Sequence, residues 1–120
     1  MSCKMLLLVA AVQFATGASA QEFAAKGSGA TSCSEFEKMY KLDPSAADDE
    51  FYNWALGFMS GWNFANATAG QPTRNLNATA PAVQETYLRQ YCDQQPSQFY
   101  IQGAKGLFLS LPLIRPQTSK

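Results

Sequence analysis

Residues 51–62 read FYNWALGFMSGW, and the reading of this stretch decides the fold. Phe51, Trp54, Ala55, Phe58, Met59 and Trp62 recur at spacings of three and four. That is the period of an amphipathic helix and not of a strand. Upstream, Asp43-Pro44 supplies a capping aspartate followed by a proline at the first helical position. Asp48, Asp49 and Glu50 lie close to that start, where the helix dipole favours negative charge. The helix is expected to run from Pro44 to about residue 66. Gly57 and Gly61 interrupt it, and each costs about 1 kcal/mol of helix propensity relative to alanine. Close approach of another backbone is the expected reason for them, and a kink is the alternative.

Three further helices are expected around this one. Ser32-x-x-Glu35 is a capping box that opens a helix over about 33–41, with Phe36 and Tyr40 on one face. Residues 81–94 carry Val83, Tyr87, Leu88, Tyr91 and Cys92 on one stripe. Pro96 ends that helix and starts a fourth over about 96–111, in which Phe99, Ile101, Ala104, Leu107, Phe108 and Leu111 are apolar. Between helices two and three, residues 67–80 (ATAGQPTRNLNATA) read as a long surface loop. The sequons Asn66-Ala-Thr68 and Asn77-Ala-Thr79 begin at or within it and carry no expectation of use. The fold class is therefore all-α, a small four-helix domain over residues 32–112.

The ends of the chain read differently. Lys4 precedes an apolar run, MLLLVAAVQF at 5–14, and Ala18-Ser19-Ala20 offers a small-x-small cleavage site. This pattern is expected to be a secretory signal peptide over residues 1–20. The run is too short to span a bilayer, which takes about 20 residues. Residues 21–31 are expected to be a flexible lead-in, and 113–120 a flexible tail. Cleavage removes Cys3, and the remaining pair, Cys33 and Cys92, reads as a disulfide in an exported chain. It would tie helix one to the end of helix three. The loop it closes spans about 60 residues, worth roughly 4 kcal/mol on the chain-entropy account.

Composition limits the chemistry. The 120 residues include no histidine, which removes imidazole metal ligands and serine- or cysteine-histidine catalysis. Nine basic and nine acidic residues give a formal charge of zero, which argues against nucleic acid or anionic lipid as a partner. No phosphate loop, nucleophile elbow or CxxC is present, so neither an enzyme activity nor a cofactor is expected. The 15 aromatic residues point instead to protein contact or core.

The pattern Cys33-Ser-Glu-Phe36, Trp54-Ala-Leu-Gly57-Phe-Met-Ser-Gly61, then Leu88-x-x-Tyr91-Cys92-x-x-x-Pro96-x-x-Phe99 resembles the HdeA/HdeB family. These are small, helical, disulfide-bonded periplasmic proteins, the best known being acid-stress chaperones that are dimers at neutral pH. The resemblance implies a periplasmic or secreted chaperone, a possible homodimer, that binds unfolding clients through apolar helix faces at low pH. Trp54, Phe58, Trp62, Leu107 and Phe108 would form the working surface. Glu35, Glu37, Asp48, Asp49 and Glu50, with Glu85 and Asp93, would sense acid. The alternative is an immunity protein that blocks one enzyme, such as a type VI secretion amidase effector, with the loop at 67–80 inserted into it.

Overall fold

Each helix begins and ends where local chemistry directs it. The Ser32 hydroxyl accepts the Glu35 amide at 3.2 Å and starts α1, Cys33–Leu42. The Glu35 carboxylate turns to Lys38 instead of closing the expected reciprocal box. Asp43 caps α2, Pro44–Thr68, by accepting the Ala46 amide at 3.1 Å, with Pro44 in the first turn. Gly70 ends α2 at φ +68, a conformation that costs glycine nothing. The amides of Gly70 and Gln71 then return to the carbonyls of Ala67 and Asn66, completing a Schellman closure. Proline also opens α3, Pro81–Gln94, and α4 covers Tyr100–Ser110. The computed structural model describes residues 24–115. The expected signal peptide, Cys3 and residues 116–120 lie outside the described residues.

The domain is mostly helical, with four helices and a disulfide from Cys33 in α1 to Cys92 in α3 (Cα–Cα 4.7 Å). Beside that bridge, three rings from three helices meet. Phe36 of α1 lies 4.8 Å from Phe51 of α2 and 5.0 Å from Tyr100 of α4, and Phe51 lies 4.9 Å from Tyr100. Leu88, Ala55, Met59, Ala104, Leu107 and Phe108 extend this core. A second, polar fastening sits inside it. The Tyr52 hydroxyl donates to Gln84 Oε1 at 2.9 Å, while Gln84 Nε2 donates to the Leu76 carbonyl at 2.8 Å. Gln84 is buried, and these bonds satisfy it.

The structure departs from the sequence reading, or adds to it, at several points. The fourth helix begins at Tyr100 and not at 96, because the intervening carbonyls serve α1. Pro96 and Gln98 accept the free first-turn amides of Ser34 and Cys33 at 3.0 and 2.7 Å, and Ser32 bridges to Phe99. Within the surface loop at 67–80, Thr73–Arg74 forms β1. This pairs antiparallel with β2, Leu113–Ile114, within the segment expected to be a tail. In the lead-in, Gly27–Ala30 forms a 3-10 turn with Ser28 and Gly29 buried. Finally, among the described residues a Cβ at Gly57 or Gly61 would meet nothing within 4 Å, so no neighbouring backbone explains these glycines.

The bridge and the aromatic triangle anchor the same point. Replacing both cysteines by alanine should lower unfolding free energy by about 4 kcal/mol, read as a drop in the urea midpoint. A loss below about 1 kcal/mol would show that the triangle holds the helices without the staple.

Candidate functional site

Spacing of four places Trp54, Phe58 and Trp62 along one side of α2. Their rings form a continuous ladder: Trp54 stacks on Phe58 at 5.5 Å, and Phe58 meets Trp62 edge-on at 5.8 Å. Trp62 in turn stacks on Phe108 of α4 at 4.4 Å. The three α2 rings are half-buried against the core. Leu107 and Phe108 are not exposed beside them; at 3% and 1% accessible they belong to the core. The five residues expected to share one open face therefore divide into a half-covered ladder and its buried support.

Both ends of the ladder are closed by segments that are not helical. At the Trp54 end the Gly27–Ala30 turn lies across the indole as a strap. Trp54 Nε1 donates to the Lys26 carbonyl at 3.0 Å. A Cβ at Gly29 would overlap the indole six-membered ring, so only glycine fits there. Gly27, at φ +76, makes the bend. The Ser28 hydroxyl donates to Glu50 Oε1 at 3.0 Å and ties the strap to α2. At the other end the Arg74 guanidinium stands 5.7 Å over the Phe108 ring. Arg74 is held through its backbone by Asn63, with bonds of 2.8 Å in each direction.

The carboxylates expected to respond to acid fall into distinct environments. Asp48 on α2 pairs with Arg89 on α3, whose Nη1 reaches both carboxylate oxygens at 2.8 and 3.0 Å. Arg89 also stands 5.2 Å over the Tyr40 ring, so one guanidinium links three helices. Glu50 holds the strap. Glu35 pairs with Lys38 inside one exposed helix turn, a contact of little tertiary consequence. Glu37 and Asp93 line a shallow groove of about 260 Å³ between α1 and α3, floored by Phe36 and Tyr40. Asp49 is exposed. Glu85 behaves in the opposite sense to an acid trigger. Burial, then the nearby Asp48 and Asp49 charges, hold its carboxyl above the ordinary glutamate range, with Arg89 opposing.

Sequence reasoning missed the strap, Arg74 and Gln84. Gly27 and Gly29 look like linker composition, and a buried glutamine has no sequence signature. Arg74 did carry a signal, being the one charged residue between Phe51 and Gln84. Chemically, the site offers π and hydrocarbon contact, covered at the Trp54 end by the Gly27–Ala30 turn. Among the described residues, no three His, Cys, Asp or Glu side chains gather to hold a metal ion.

Two outcomes follow. In a Trp62→Phe background, Gly29→Ala should push strap and indole apart at neutral pH. Trp54 emission should shift to the red and quench more readily with acrylamide; unchanged emission would mean the strap does not cover the ring. For Glu85, a raised folded pKa favours folding below the ordinary glutamate value and loses that advantage as pH rises through the folded value. Glu85→Gln should therefore raise the urea midpoint at pH 7 relative to wild type, and the gain should vanish near pH 3.

No protein-family model, curated protein or solved structure matches the chain.

Proposed function

We propose that this chain is an exported, non-enzymatic protein-binding domain that takes up apolar segments of unfolding proteins when its surroundings turn acid. The observation that carries the reading is the half-buried Trp54–Phe58–Trp62 ladder, whose covering strap is tied down by a carboxylate. Aromatic rings in a row suit non-selective capture, since each offers large apolar area at low cost in side-chain entropy. The acid trigger itself comes from the resemblance to the HdeA/HdeB family. The geometry adds where such a trigger would act.

Carboxylates ordinarily gain their protons near pH 4. Protonating Glu50 would turn a charge-assisted bond to Ser28 into a weaker neutral one. Protonating Asp48 would leave Arg89 without its partner and loosen α2 from α3. Both changes act on contacts between elements, so they lift the strap and open the helices without unfolding each helix. The disulfide would keep α1 and α3 together meanwhile, and it fits a periplasmic or secreted location.

A holdase of this kind should leave a denatured client to aggregate at pH 7 and suppress that aggregation at pH 2–3, with rising apolar dye binding over the same interval. Glu50→Gln should move the onset toward neutral pH. No gain of activity on acidification would dismiss the proposal. One observation favours the inhibitor reading instead: the exposed tip at 77–80 is held firm, because Gln84 Nε2 bonds the Leu76 and Thr79 carbonyls. That reading requires a tight neutral-pH complex with one enzyme, such as a type VI secretion amidase effector, lost on trimming residues 77–79.

A further inference from the structure

The formal charge of zero conceals a strongly uneven distribution. Every acidic residue among the described ones lies on α1, at the start of α2 or on α3. None occurs from Phe51 to Gln84, and none from Gln94 to the end of the chain. Among the described residues, the stretches without acids carry Arg74, Lys105 and Arg115. They also meet in space, at the corner where the end of α2, the end of α4 and the β1–β2 pair come together.

Arg74 organises that corner. Its backbone is bonded to Asn63, the residue before Phe64, and it pairs across the sheet with Leu113. Its Nη1 donates to the Leu109 and Leu111 carbonyls at 2.8 and 2.7 Å. The result is a rigid edge presenting four large apolar side chains to solvent: Phe64 (75% accessible), Leu113 (53%), Ile114 (49%) and Leu109 (46%). Apolar groups gathered this way on a small domain mark an interaction surface. Two exposed cations flank them: Lys105, one helical turn before Leu109, and Arg115, adjacent to Ile114. No described acidic residue lies on α2 beyond Glu50, on α4 or on the β1–β2 pair.

We propose that this corner docks on the surface of an anionic lipid bilayer, the four apolar side chains entering the interfacial layer and the two cations engaging headgroups. Charge complementarity selects this occupant. A purely apolar edge would be indifferent to lipid charge, whereas cations bordering apolar groups gain from both contributions. Each cation near an anionic surface is worth about fivefold in binding. The two together give a preference of about 25-fold for anionic over neutral lipid. The acidic half of the molecule points the opposite way along α2, so repulsion from the lipid turns the domain with this edge inward. This goes beyond the acid-dependent capture proposed above and does not depend on it, since the edge is exposed with the strap in place.

The test is co-sedimentation of the full mature chain at pH 7 with vesicles of phosphatidylglycerol and phosphatidylcholine, against phosphatidylcholine alone. Binding to the anionic vesicles, weakening as salt rises, is expected. The Lys105→Glu/Arg115→Glu variant should lose about 25-fold or more in partitioning. Leu113→Ser/Ile114→Ser should also lose binding while retaining the wild-type circular dichroism spectrum. Equal binding to both vesicle types, or binding to neither, overturns the proposal. So does a wild-type dimer that Leu113→Ser/Ile114→Ser converts to monomer, because the edge would then be covered by a second copy. Since all arms run at neutral pH, they stand or fall separately from any acid-induced activity.

Discussion

The junction of the Cys33–Cys92 bridge with the Phe36–Phe51–Tyr100 triangle is the constraint on which the rest of the structure rests. One ring comes from each of α1, α2 and α4, and the bridge adds α3, so all four helices are fixed at a single point. Aromatic pairs at such separations contribute about 0.5–1.5 kcal/mol each beyond the area they bury. In a domain this small, a core supplies few such contacts in total, and a covalent tie in the same place keeps them from being lost one at a time. Backbone bonds strengthen the same junction. Carbonyls of the α3–α4 connection accept the first amides of α1, and the Tyr100 amide returns to Thr31 at 2.9 Å.

α2 is 25 residues long and most of it lies beyond Phe51, out of reach of the triangle. Its far half is secured by other means: the ladder of rings onto Phe108, the Asn63–Arg74 pair, and the short β1–β2 ribbon. The two halves differ in chemistry. Near the triangle, contacts between elements include carboxylates, namely Asp48 to Arg89 and Glu50 to Ser28. Around Arg74 they use carbonyls, amides and apolar contact. Contacts that protonation would weaken therefore lie at one end of the domain, where the acid-dependent opening proposed above would act.

Much of the fold was legible in the sequence because it rests on local rules. Ser32 and Asp43 are capping residues whatever they are packed against, and the three-and-four spacing around Trp54 admits no strand. The start of α4 was misplaced for a nonlocal reason. Pro96 is a good helix opener by its own chemistry, but the carbonyls of residues 96 and 98 are needed by α1, some sixty positions earlier in the chain. The ladder was visible as a stripe, but its cover was not. Gly27 and Gly29 read as linker glycines until the Trp54 ring is placed beside them.

By itself, then, the sequence determined the helical periods, three of the four helix starts, and the pairing of Cys33 with Cys92. Each depends on residues within a turn or two of one another, or, for the cysteines, on reading Cys3 as part of a leader segment. Tertiary structure alone decided which aromatic rings are core and which are half-open, that Leu107 and Phe108 support the site rather than line it, and that scattered neutral and basic stretches meet at one edge. Those outcomes depend on which faces of distant segments come together, and a one-dimensional pattern holds no record of that.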